Sequence, residues 1–203
     1  MAVLNSMMAR RLVTLAITLS LTISGCLFDT RDPDPPDPGE TGCAAITLDV
    51  PNAVFEALTC ALESEQDAAY ERVLSQNFVF SPTQQDSLDQ TFAGTAVYAG
   101  WNKDVEMEVF RLLQSDAQNL AVEFVPSILI NQTTFVRFSV DYLLRVVNVA
   151  TPTDTTVYGG IAQFDVRNEG GNWRLTFWDE IDSAPGLSTW GYLKGILRLR
   201  LNP

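Results

Sequence analysis

The chain has 203 residues, a formal net charge of −12 and no histidine. An acidic surplus of that size argues against nucleic acid as a partner, because phosphates need cationic contacts. Without histidine there is no base for a nucleophilic triad, no histidine-ligated zinc and no histidine–aspartate dyad, and three cysteines do not replace them. No metal site and no cofactor is therefore expected.

Arg10 and Arg11, with no acidic residue around them, precede an apolar run from Leu12 to Ile23 and then small residues. That order is a secretory signal. The run is interrupted by Thr14, Thr18, Ser20 and Thr22 and falls short of the roughly 20 apolar residues that a spanning helix needs. It ends in Ile23-Ser24-Gly25-Cys26, which resembles the lipobox of bacterial lipoproteins. The resemblance implies removal of residues 1–25 as a signal peptide, a diacylglyceryl thioether on the Cys26 sulfur and acylation of the new amine. At about 0.8 kcal/mol per buried methylene, two or three such chains form a durable membrane anchor. Leu27 follows in place of the aspartate that retains such proteins at the inner membrane, so the expected location is the cell envelope, at the outer membrane where the host has one.

Residues 26–42 form a second segment, in which proline alternates with aspartate from Asp29 to Glu40 and almost nothing can be buried. It reads as a solvated, extended tether. At about 3.1 Å per residue in polyproline II form it would reach up to roughly 50 Å from the bilayer. Its aspartates lack the glycine-turned loop and closing glutamate of a calcium-binding EF-hand.

Residues 43–203 are one domain's worth of chain. Cys43 and Cys60 are left once Cys26 is lipidated; they either bridge, in a compartment that permits it, or stay as two buried thiols. A first helix follows Pro51, with Val54, Phe55, Leu58, Ala61 and Leu62 on one face. A shorter one spans Asp67 to Leu74, capped by Ser64 or Asp67, and runs into a strand at Phe78-Val79-Phe80. Asn102 or Lys103 starts a third, whose acidic first turn (Asp104, Glu106) suits the helix dipole and whose buried side is Met107, Val109, Phe110 and Leu113. The rest reads as a long antiparallel meander. Its clearest strand alternates Val136, Phe138, Val140, Tyr142, Leu144 and Val146 with polar residues. Before it, Leu120 to Ile130 is broken at Pro126, as in an edge strand or a bulge. After it, Thr155 to Arg167 carries Gly159-Gly160, where a strand can bend sharply, and the turn Glu169–Asn172 leads into Trp173 to Asp182.

Leu74-Ser-Gln-Asn-Phe-Val-Phe80, Trp101-Asn-Lys-Asp104 and the closing strand from Trp173 to Asp179 together resemble the NTF2-like superfamily and its SnoaL-like branch, over nearly all of the chain from Val50 to Asp182. The resemblance implies an α+β fold in which a curved antiparallel sheet wraps around N-terminal helices to make a cone, with the cone's mouth as the usual ligand site. Tyr98, Trp101, Tyr142, Tyr158, Phe177 and Trp178 are the candidate lining residues, each of which plain core packing also explains. Asp179, placed by alternation on the face of Trp173, Leu175 and Phe177, is the candidate base. With Tyr142 or Tyr158 as oxyanion donor it would reproduce the carboxylate–tyrosine arrangement of ketosteroid isomerases. The favoured expectation is a noncatalytic module holding a small apolar ligand or a protein partner, with a homodimer as one assembly; the alternative is a cone-pocket enzyme of isomerase or dehydratase type.

Beyond that fold's final strand, Ser188 or Thr189 can cap a helix carrying Trp190, Leu193, Ile196 and Leu197, although Leu197 to Leu201 alternates like a strand. Lys194, Arg198 and Arg200 read as a basic cluster; the favoured expectation is that the apolar side packs on the domain while the cations suit a helix C-terminus, and the alternative is contact with anionic lipid. Cys26→Ala is expected to abolish both membrane fractionation and incorporation of labelled fatty acid while leaving the domain folded; a variant still found in the membrane fraction with label would refute lipidation at Cys26.

Overall fold

The computed structural model describes residues 42–201. The signal segment, Cys26 and all of the tether but Gly42 lie outside the described residues. Among the described residues no helix is long and apolar enough to cross a membrane.

A 3₁₀ turn, Cys43–Ala45, leads to helix α1 (Ala53–Glu63), whose Val54, Phe55, Leu58, Ala61 and Leu62 are all buried. Cys43 is bridged to Cys60 in α1, 17 residues on. Closing a loop of that length contributes about 3 kcal/mol by restricting the unfolded chain. Arg72 then clamps the same turn, donating to the carbonyls of Cys43, Ala44 and Ile46. Helix α2 (Asp67–Val73) starts after Gln66 without a side-chain cap, so neither Ser64 nor Asp67 fills that role. Helix α3 (Lys103–Asp116) is capped by Asn102, whose side chain accepts from the Val105 N–H at 3.1 Å.

Five strands, β1 (Leu74–Ser81), β2 (Ala117–Gln132), β3 (Phe135–Asn148), β4 (Thr155–Glu169) and β5 (Asn172–Ser183), form one sheet in the order β1-β5-β4-β3-β2. β2 to β5 are the antiparallel meander read from the sequence; β1 adds in parallel beside β5. Phe55 of α1 lies in the curve of the sheet, with ring centroids 5.0 to 5.9 Å from Phe138, Phe164 and Phe124. The fold is thus α+β, a curved sheet closed around helices. Last comes helix α4 (Trp190–Leu201). It stays helical through the Leu197–Leu201 alternation, because Leu197 and Leu193 belong to its buried stripe.

Two sequence readings of the sheet are refined. Pro126 lies on an edge strand, β2, which is one of the two readings of it; it stands opposite Val140 in unbroken register, and the bulge falls later, between Ile128 and Ile130. Pairing of β3 with β4 also runs unbroken through Gly159 and Gly160. These glycines serve close approach: a Cβ on Gly160 would sit 2.4 Å from the Asp182 carbonyl oxygen and 3.0 Å from the Tyr142 hydroxyl. The neighbour is backbone, so it cannot turn away as a flexible side chain would. Gly160→Ala is therefore expected to destabilise by about 1 to 3 kcal/mol, the usual range for overpacking, read as a lower urea midpoint; an unchanged midpoint would show that β5 does not approach β4 there.

Candidate functional site

The space between α1, α3 and the inner face of the sheet is where a ligand site in this architecture would open. Here it is filled. Trp190 of α4 reaches in, its ring 4.7 Å from that of Trp178, 6.3 Å from Phe124 and 6.1 Å from Tyr142. One turn on, the Lys194 side chain is 1 % exposed. Its ammonium is 2.8 Å from Glu106 Oε1, but off the line a well-directed hydrogen bond needs. The rest of its surroundings are aromatic, with Nζ 3.6 Å from the ring centre of Trp178 and 4.2 Å from that of Phe80.

Both charges stand on the apolar stripes of their helices. Glu106 is spaced three, four and seven residues from Val109, Phe110 and Leu113, and Lys194 lies four residues after Trp190 and three before Leu197. A bare carboxylate there would be prohibitively desolvated. Glu106 instead accepts from the Tyr70 hydroxyl at 2.7 Å and from Trp101 Nε1 at 2.8 Å, besides its ion pair. A second buried carboxylate, Glu180, accepts from the Tyr142 hydroxyl at 2.5 Å and from Trp178 Nε1 at 3.0 Å. The Trp190 N–H in turn donates to the Tyr142 oxygen at 3.0 Å. The start of α4 is fixed by Thr189, whose hydroxyl donates to Asp86 and accepts from the Tyr192 N–H. Gly191 and Gly195 let the helix lie close: a Cβ at 195 would meet the Tyr98 hydroxyl at 2.4 Å.

Of the residues proposed from sequence, Trp101, Tyr142 and Trp178 meet at this centre. Tyr98 stands behind it, stacked at 6.0 Å on Trp101 and donating to the Gly191 carbonyl. Tyr158 is half-buried at the rim, its backbone bridging Ser188. Phe177 and Asp179 do not line the interior. A β-bulge between Leu175 and Phe177 advances β5 by one residue, so Trp178 and Glu180 face inward while Phe177 pairs beside exposed Val79 and Asp179 beside Ser81. The inward carboxylate is Glu180, and Asp179 is not placed to act as the base. Glu106, Glu180 and Lys194 were missed by sequence reasoning, yet the stripe positions of Glu106 and Lys194 were visible in their spacing. The basic residues divide: Lys194 is buried, while Arg198 and Arg200 stand in the last turn of α4, as the helix C-terminus reading has it, with Arg200 paired to Asp116 and Arg198 over Trp101 at 5.2 Å. Of three surface clefts, one of about 430 Å³ is lined in part by Asp86, Thr189 and Tyr192, one of about 400 Å³ by Tyr142 and Gly160, and one of about 650 Å³ lies away from the site; none is lined by Glu106, Glu180 or Lys194.

No family model matches the chain, and no curated protein matches it. Solved structures do. A scytalone dehydratase candidate from Novosphingobium aromaticivorans aligns with a TM-score of 0.52 at 9% identity over 66% of this chain and 81% of its own. The beta subunit of a candidate aromatic-ring-hydroxylating dioxygenase from the same organism gives 0.52 at 12% identity, over 73% and 96%. A conserved protein from Planctomyces limnophilus gives 0.52 at 11%, over 66% and 94%. The fold is the NTF2-like cone. At such identities the likeness extends to fold alone, and a fold that serves a dehydratase and a subunit alike does not choose between them.

Burial raises the Glu180 carboxyl from 4.5 to about 7, against the pull of Tyr142, Lys194 and Trp178 and with a further push from Asp86. Between pH about 4.5 and about 7 the folded protein thus holds a proton that the unfolded chain has released. Stability falls as pH rises through that window and levels off above it. Glu180→Gln is expected to remove this slope, so that wild type loses roughly 2 to 3 kcal/mol relative to the variant between pH 4.5 and 7.5; parallel stability curves would assign the titration to another group.

Proposed function

We propose that the protein is a noncatalytic binding module held in the cell envelope by lipid at Cys26, with its cone kept closed at rest by its own C-terminal helix. The observation that carries this reading is the occupation of the interior by Trp190 and Lys194. The carboxyl and hydroxyl groups that could work on a substrate there already have internal partners: Tyr142 donates to Glu180, and Glu106 accepts from Tyr70 and Trp101 besides its ion pair with Lys194. The anchor rests on the lipobox resemblance and the proline–aspartate tether. For assembly with a second copy or another protein, the outer face of the sheet offers exposed Val79, Val125 and Ile161 beside Phe177.

The Tyr142–Glu180 pair also supports the alternative, an isomerase or dehydratase with a carboxylate base and a tyrosine donor, because a buried carboxyl raised to about 7 is suited to proton transfer near neutral pH. That chemistry would require α4 to leave, since the Trp190 N–H and ring occupy the approach to the Tyr142 oxygen. Native mass spectrometry of the protein purified from its own host distinguishes the two readings. The expected mass is that of the lipidated polypeptide with nothing else retained, whereas a co-purified small molecule would overturn the closed resting cone.

A further inference from the structure

The surroundings of Lys194 have the chemistry of a receptor for a cation. Three aromatic rings, Trp178, Phe80 and Trp190, have their centres 3.6, 4.2 and 5.5 Å from the ammonium nitrogen, all within cation–π range. One carboxylate, Glu106, stands at 2.8 Å, and the buried Glu180 of β5 fixes the nearest ring by accepting from Trp178 Nε1 at 3.0 Å. Glu106 is itself held in place by Tyr70 of α2 and by Trp101 just before α3. The ion pair contributes a single off-line contact, and the ammonium's other close neighbours are the aromatic rings. A lysine serving only to neutralise Glu106 would not need a cage of aromatic faces on its other sides. Apart from Trp190, the cage is built from α3, its preceding loop and the sheet, so it belongs to the body of the cone and not to the helix whose lysine fills it.

We propose that this cage is a recognition site for a primary ammonium group on an unbranched apolar stem, and that α4 fills it with Lys194 as a built-in stand-in for such a ligand. The proposal rests on the closed-cone reading above and adds the class of ligand to it. A quaternary ammonium is disfavoured because it cannot donate to Glu106 and is too wide for a space in which one ring centre lies at 3.6 Å. An alcohol of the same length has no charge for the rings or the carboxylate to hold.

Lys194→Ala in the full-length chain removes the last three carbons and the ammonium of the side chain, a space the size of n-propylammonium, which is the probe. n-Propylammonium chloride is expected to raise the melting temperature of K194A by roughly 5 °C at saturation, with n-propanol and tetramethylammonium chloride giving less than a fifth of that rise. If K194A is unfolded in buffer, the same amine is expected to restore its native near-ultraviolet circular dichroism. Glu106→Gln added to K194A relieves the unpaired charge and is expected to abolish the amine response. An equal rise with propanol, an undiminished response in the double variant, or no rise and no refolding with amine would each overturn the cage. Failure of that kind, with the wild-type chain still free of ligand by native mass spectrometry, would leave the closed cone standing. A co-purified molecule in the wild type would sink the closed cone whatever the amine does.

Discussion

The ion pair between Glu106 and Lys194 is the constraint on which the rest of the interior depends. Taking either charge out of water costs several kcal/mol, and attraction between them offsets this only when the remaining hydrogen-bonding capacity is met. The protein meets it on the acidic side with Tyr70 and Trp101 and on the basic side with aromatic faces. Each of those partners must then hold its place. Tyr70 stacks on Phe110 at 3.9 Å, which ties α2 to α3; Trp101 is followed directly by the Asn102 cap that starts α3. The register of α4 is set in the same way, since a shift by one residue would carry Lys194 off Glu106. Apolar side chains of similar volume would fill the space at no electrostatic cost, but they would specify the position of α4 less sharply.

The fold was legible in the sequence wherever one periodicity persisted. β3 keeps strict alternation over its whole length and its inward residues are all buried, so its reading needed nothing from its neighbours. The failures came where a single inserted residue or a single charge broke a pattern. In β5, period-two counting runs correctly through Trp173 and Leu175 and is then displaced by the bulge, which exchanges the roles of Asp179 and Glu180. A bulge depends on how β4 pairs with β5, and one strand's sequence does not record that. Glu106 and Lys194 fell to another habit of reading: charged residues are assigned to solvent by type, even when three- and four-residue spacing puts them on a buried stripe. By type, Glu106 reads as a dipole partner and Lys194 as part of a basic cluster. The parallel addition of β1 beside β5 was invisible for a third reason, because it joins segments about a hundred residues apart and leaves no local mark.

The filled interior also bears on how little the fold alone says of function in this chain. The cone places a curved sheet around a space, and in this chain that space is occupied from beyond the final strand. Here twelve more residues of helix supply Trp190 and Lys194 and turn a container into a packed core. The polar groups that remain inside are arranged around one another: Tyr142 between Glu180 and the Trp190 N–H, and Thr189 between Asp86 and the Tyr192 N–H. Such a network makes α4 a part of the fold with a definite seat, distinct from a segment that merely covers an opening.

The bridge between Cys43 and Cys60 has a consequence of a mechanical kind. A pull applied at Cys43 meets a covalent link into the C-terminal half of α1, with Arg72 gripping the carbonyls of Cys43, Ala44 and Ile46. Load therefore enters the body of the domain as shear along a helix, and does not peel the 3₁₀ turn away one hydrogen bond at a time. The same link makes a single nick harmless to the connection: a protease that cuts anywhere between Ala44 and Thr59 leaves everything up to Cys43 still joined through sulfur to the rest.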